Sequence, residues 1–237
     1  MQKNATRLLC LFPQPRIALA ARLAALCLLA GFALRTVHAQ DAEPWVPNSK
    51  HDVQSEITIE SEASYGNWQV FATGYGSKLY TSGVEYDRHS WGRLLWARAD
   101  YVAEALPVVL LDEPAKLDSY GNPLTKQKQI VPGIGFSPIG IRLMWANERR
   151  FKPYYTLKGG MLFFPRKVLS PDTSYGNLSM EMGVGLQARL TPRIGVRLGL
   201  FNDFHFSDAF VVGRNPGLDV MNSNLGLTYQ LGHRPAQ

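Results

Sequence analysis

Cysteine is almost missing from this chain. There are two in 237 residues, Cys10 and Cys27. Both lie within residues 1–39, which hold no aspartate or glutamate but carry five of the 25 lysines and arginines. That segment reads as an export signal. Met1–Arg22 is basic, residues 23–34 (LAALCLLAGFAL) are apolar, and Val37-His38-Ala39 offers a small-x-small cleavage site before Gln40. A run of this length is too short to cross a bilayer core, which takes about 20 residues, so cleavage rather than anchoring is expected. Leu26 stands where a lipoprotein signal needs a small residue before Cys27.

Once residues 1–39 are removed, further absences follow. The remaining 198 residues hold no cysteine, which excludes disulfides and thiol chemistry. They hold 20 basic and 19 acidic residues, so the formal charge of +6 belongs to the signal, and nucleic-acid binding gains no support from charge. No apolar run approaches the length of a membrane helix. A terminal aromatic residue, which ends many outer-membrane proteins, is also missing. The last strand-like stretch stops at Leu231 and a polar tail, 232–237, follows.

What remains is rich in glycine and aromatics and alternates with period two. Residues 40–60 are polar, with two prolines, and read as a periplasmic lead-in. The barrel is expected over 61–231, as strands near 62–76, 78–89, 93–110, 133–147, 151–165, 176–190, 193–207 and 218–231. In the sixth, Met180, Met182, Val184, Leu186 and Ala188 share one face, and Ser179, Glu181, Gly183, Gln187 and Arg189 the other. In the eighth, Leu225, Leu227 and Tyr229 oppose Asn224, Gly226 and Thr228. Strands this long exceed the roughly 5–6 residues usual in soluble sheets and suit tilted membrane strands of about 9–11 residues or more. The polar faces suit the packed interior of a small barrel. Short turns are expected at 90–92, 147–150 and 191–192, and longer loops at 111–132, 166–175 and 208–217. The fold class expected is all-β, an eight-stranded antiparallel transmembrane up-and-down barrel.

One run carries chemistry. His205 and Ser207 stand two residues apart, and Asp219 follows Asn215-Pro216-Gly217 on the next strand. Residues at i and i+2 share a strand face, and a hairpin neighbour can add the acid. A serine hydroxyl becomes nucleophilic when an imidazole takes its proton, and a carboxylate fixes that imidazole. Alone, a His-x-Ser pair is a chance-level signal. Parity places all three residues at the end of the barrel bearing the longer loops.

With these residues in view, the chain resembles the PagL-type lipid A 3-O-deacylases, a family of acyloxyacyl-hydrolase-like outer-membrane barrels. The most specific part is His205-x-Ser207 with Asn215-Pro216-Gly217 and an acid at 219. Trp91-Gly92-Arg93-Leu94-Leu95-Trp96, Phe151-Lys152-Pro153-Tyr154-Tyr155, Gly159-Gly160, Gly183-Val184-Gly185-Leu186 and Ile194-Gly195-Val196-Arg197 follow the family's strands in order. The resemblance implies an outer-membrane serine esterase that hydrolyses the 3-O-linked hydroxyacyl chain of lipid A. Ser207 would be the nucleophile, His205 the general base and Asp219 the orienting acid, with no metal or other cofactor. The partners implied are lipopolysaccharide and outer-membrane lipids, with a homodimer left open. The chain departs from the family at Asp208, where an asparagine is usual and is thought to help form the oxyanion hole, and at Asp219, where the founding member has glutamate. An ionised Asp208 cannot donate a hydrogen bond. Either it is protonated, or backbone N–H groups such as that of Phe210 carry more of the load, or activity is weak or lost.

Strict alternation in the seventh stretch conflicts with a site on the barrel exterior. His205 and Ser207 share parity with Arg193, Arg197 and Asp203, while Ile194, Val196, Leu198 and Leu200 form the apolar face. A β-bulge near Asn202-Asp203 would exchange the faces and is expected. His51, His89 and His233 read as surface residues, and no metal site follows from them. Gly133-Ile134-Gly135-Phe136-Ser137 is not a nucleophile elbow, because no strand-turn-helix pattern surrounds it. Lys116, Lys126 and Lys128 fall in a polar loop and could attract lipid A phosphates. Trp68, Trp91, Trp96 and Trp145 are candidates for interfacial girdles. Two other classes stay open, a structural or adhesive barrel without catalysis and a secreted soluble barrel holding an apolar ligand.

Overall fold

A computed structural model describes residues 55–66, 76–208 and 217–231. Eight strands run in chain order: β1 (Ser55–Gly66), β2 (Lys78–Leu94), β3 (Ala97–Pro114), β4 (Lys128–Met144), β5 (Phe151–Phe163), β6 (Gly176–Arg189), β7 (Ile194–Asp208) and β8 (Leu218–Leu231). Each pairs antiparallel with its neighbour, and β8 pairs with β1 to close the barrel. Closure satisfies every ladder and leaves no sheet edge. The proposed signal, the tail, His51, Trp68, Phe210 and His233 lie outside the described residues.

The polarity is inverted relative to a water-soluble protein. Exposed apolar side chains ring the outside, including Ile59 at 64%, Ile139 at 69% and Leu225 at 60% exposed. Charged side chains fill the inside, the arrangement a bilayer-spanning barrel requires. Two guanidiniums and two carboxylates lock its centre. Arg142 donates to Glu85 at 2.7 and 2.8 Å and to Asp87 at 2.5 Å. Arg197 donates to Asp87 at 2.6 Å and also to Glu85. Above them Lys158 Nζ sits 2.9 Å from Glu104 and Glu181 and 3.4 Å from Glu60 and Glu85. The Tyr154 ring lies 5.1 Å from the Arg142 guanidinium and 5.7 Å from that of Arg197. Gly185 leaves the room that ring needs, since a Cβ there would collide with it. Nearer the long-loop end the filling turns apolar, with Leu79, Leu111, Phe164, Phe204, Phe206 and Val220 in one buried cluster.

Several boundaries differ from the sequence reading. β1 starts at Ser55, so residues 55–60 of the expected lead-in are strand. Their polarity misled, because Glu56, Thr58, Glu60 and Glu62 are the buried lumen face of that strand. The first short turn is at Leu95 and Trp96, not at 90–92, and both residues have positive φ, 50° and 60°. That is the conformation of a tight hairpin turn, usually given to Asn or Gly. His89 is not a surface residue. Its Nε2 lies 3.8 Å from Glu56 and 3.7 Å from Asp100, with its side chain 10% exposed. Lys128 is paired with Asp112 at 3.3 Å rather than standing in an open loop.

The central ion network makes a definite demand on stability. Glu85→Gln removes a carboxylate shared by two buried guanidiniums, and loss of one partner from a buried pair costs about 3–5 kcal/mol. Urea unfolding of the refolded barrel in detergent micelles should show a loss of that size, whereas Glu148→Gln, in an exposed turn, should change little.

Candidate active site on the barrel exterior

The register of β7 is where the site is made. From Gly195 to Gly199 the odd-numbered residues face the lumen, and buried Arg197 reaches the central network. The ladder to β8 then skips from Gly199 to Asn202, and the ladder to β6 shifts between Val184 and Gly185. Leu200 and Phe201 are both exposed, so two successive residues point outward. The irregularity expected near Asn202-Asp203 is therefore present, centred on Leu200-Phe201. Beyond it the even-numbered residues Asn202, Phe204, Phe206 and Asp208 face inward, and Asp203, His205 and Ser207 face outward. The Tyr65 hydroxyl donates to the Leu200 carbonyl at 2.9 Å, occupying a backbone acceptor at the irregularity.

Cross-strand pairing confirms the facing. His205 lies opposite Met180 and Ser207 opposite Leu178, which is exposed on the outside. On the other side His205 lies directly opposite Asp219. The His205 Nδ1 is 2.5 Å from Asp219 Oδ1, and the Asp219 side chain is fully buried while that of His205 is 19% exposed. A carboxylate in contact with Nδ1 makes that nitrogen the donor, so Nε2 is the basic nitrogen. Ser207, at i+2 on the same face, has its Cα about 6.6 Å further along the strand. Behind them Phe204 and Phe206 pack into the apolar filling, with Phe206 6.0 Å from Phe164. This packing holds β7 in place beneath the site.

The structure thus brings His205 and Asp219 into contact and sets Ser207 on their face. It does not bring Asp208 there. Asp208 faces inward, where it accepts the Ser174 N–H at 3.2 Å and the Ser174 hydroxyl at 2.5 Å. Its side chain is turned away from the face that carries Ser207, since adjacent strand residues point to opposite faces. Its carboxylate instead fastens the β5–β6 loop to the end of β7. Sequence reasoning also missed the role of Asp203, which strict parity had placed with the lumen residues. Asp203 is 6% exposed on the outward face, two residues before His205, and neither carboxylate oxygen has a hydrogen-bond partner. A buried carboxylate left without a hydrogen bond is costly. Only the bulge could have revealed it.

Facing is directly testable, because residues 40–237 contain no cysteine. Ser207→Cys should react with a bilayer-soluble maleimide in reconstituted vesicles. Deleting Leu200 removes the extra residue and should turn position 207 into the lumen, abolishing the labelling. Equal labelling of both variants would contradict the assignment of faces.

No family model matches the chain, and no curated protein matches it. Among solved structures it is similar to the outer membrane enzyme PagL, at 18% identity and a TM-score of 0.49, covering 74% of this chain and 99% of that one. It is also similar to Neisserial surface protein A, NspA, at 11% identity and a TM-score of 0.34, covering 76% and 96%. Both likenesses are distant, and the chemistry rests on the geometry of the site itself.

Proposed function

We propose that this chain is an outer-membrane esterase that hydrolyses a 3-O-linked hydroxyacyl chain of lipid A. The observation that carries the reading is the His205–Asp219 pair, which shares the exterior face of an inside-out barrel with Ser207. A hydrolase acting on soluble substrates would need its nucleophile in a water-filled cleft. Here the nucleophile stands beside Leu178, among outward side chains that face bilayer lipid. The scissile bond that such a serine meets belongs to a lipid. The longer connections lie at this end of the barrel, the end that faces outward in barrels of this kind, where the lipid is lipopolysaccharide.

In this reading the Ser207 hydroxyl attacks the ester carbonyl while His205 Nε2 accepts its proton. Asp219 holds the imidazole and balances the imidazolium that forms. Collapse of the tetrahedral intermediate expels the sugar hydroxyl, which takes the proton back from His205. Water then attacks the acyl-serine by the same base catalysis and releases the 3-hydroxy fatty acid. With Asp208 engaged on the inner side, the oxyanion falls to backbone N–H donors after Ser207, and Phe210 is the candidate. A second reading, a barrel without catalysis, draws support from Asp208, which stands beside the nucleophile but serves the loop.

Purified full-length protein, incubated with lipopolysaccharide in detergent, should release free 3-hydroxy fatty acid. Ser207→Ala should reduce that release to background with the barrel still folded, and Asp219→Asn should lower it by about 10⁴-fold, the scale of a lost orienting acid. A wild-type protein inert on several lipid A forms would favour the non-catalytic barrel. Undiminished release from Ser207→Ala would remove the nucleophile assignment.

A further inference from the structure

The end of the barrel opposite the site carries a second surface. Three connections meet there: Leu95 and Trp96 between β2 and β3, residues 145–150 between β4 and β5, and residues 190–193 between β6 and β7. They form one continuous arc. The Trp145 indole N–H donates to the Leu95 carbonyl at 3.1 Å, and the Arg189 N–H donates to the Arg150 carbonyl at 2.8 Å. The Gln230 N–H closes on the Arg193 carbonyl at 2.8 Å and extends the arc to β8.

Five arginines stand on this arc: Arg93, Arg149, Arg150, Arg189 and Arg193. Four are exposed and Arg189 is half-buried. Among the described residues no carboxylate forms a salt bridge with any of them, whereas Arg98 at the same end is held by Asp100 at 2.8 Å. Two of the cations at the far end are paired. Lys128 is 3.3 Å from Asp112, and Arg166 is 3.8 Å from Glu113. The unpaired arginines are interleaved with exposed Trp91, Leu95, Trp96, Phe151 and Leu190, and Trp96 is 80% exposed. The Arg150 guanidinium sits 5.7 Å from the Phe151 ring. A merely solvated basic rim has no need of indoles and leucines between its charges. Large apolar side chains beside cations, continuous with the apolar belt of the strands, suit the plane where lipid headgroups meet hydrocarbon.

We propose that this arc is a docking surface for the anionic headgroups of diacyl phospholipids in the leaflet at the short-turn end. The guanidinium fork donates two parallel N–H bonds to phosphate oxygens, and it is weakly enough hydrated to do so at an interface. The anionic partner supplies a countercharge to guanidiniums that form no salt bridge among the described residues. The surface is remote from His205, Ser207 and Asp219, so the inference stands whether or not the chain is an esterase.

The test uses the full chain in nanodiscs of equal parts phosphatidylglycerol and phosphatidylcholine, with native mass spectrometry counting the lipids retained on release. Wild-type protein should retain phosphatidylglycerol in preference. The combined variant Arg93→Gln, Arg149→Gln, Arg150→Gln, Arg193→Gln should lose the preference, at about fivefold per arginine removed. Heat-modified mobility on gels reports whether that variant is folded. If it is not, the single variants Arg149→Gln and Arg193→Gln, both in exposed turns, give the same reading with a smaller shift. Equal retention of the two lipids by wild type would overturn the proposal, as would a preference unchanged in the variants. So would capture of peptidoglycan or of a protein by this arc without enrichment of phosphatidylglycerol.

Discussion

Strand alternation is the constraint on which this molecule depends. A closed barrel has only two faces, and each side chain is assigned to one of them by counting. In β7 the count is altered by one residue, where Leu200 and Phe201 both point outward. Below that point the odd residues serve the lumen, and Arg197 is fixed between Glu85 and Asp87. Above it the odd residues serve the exterior, and His205 meets Asp219. One strand therefore supplies both the structural lock and the candidate site. Without the extra outward residue, either Arg197 would face lipid or His205 would face the filled interior.

The inner filling and the outer site support each other. Guanidiniums buried against carboxylates gain little net stability compared with an apolar core, but removing one partner is expensive. The network therefore enforces register, since a slip of one residue in β2, β4 or β7 would strand Glu85, Arg142 or Arg197 in hydrocarbon. Higher up, Phe204 and Phe206 replace charge with apolar packing. That change gives the strand behind the site a rigid backing, and it lets the catalytic candidates sit on a ladder rather than on a loop. Asp208 extends the backing by fastening Ser174 of the neighbouring loop.

Much of the architecture was legible because period-two patterns are strong in the later strands. Gly176–Arg189 and Leu218–Leu231 alternate cleanly, and their bounds came within a residue of the sequence reading. β1 was not legible at its start, because Glu56, Glu60 and Glu62 look like solvent-facing residues until the partners inside the barrel are known. The Leu95-Trp96 turn was missed because its residues carry none of the usual turn chemistry, and Gly92 attracted the assignment instead. In the site, His205, Ser207 and Asp219 could be grouped from spacing, and the conflict of parity itself pointed to an irregularity in β7. The face of Asp203 could not be read, since it depends on where the extra residue falls. Asp208 looked like chemistry from its neighbour Ser207, but alternation turned it to the other side.

The central claim is that Ser207 is a nucleophile activated by His205 and Asp219 on the lipid-facing surface. A lipophilic fluorophosphonate, incubated with the refolded barrel and followed by peptide mass spectrometry, tests it most directly. The account predicts a single adduct on Ser207, suppressed by prior addition of lipopolysaccharide and absent from His205→Ala. Absence of any adduct, an adduct on a different serine, or equal labelling in His205→Ala would contradict it.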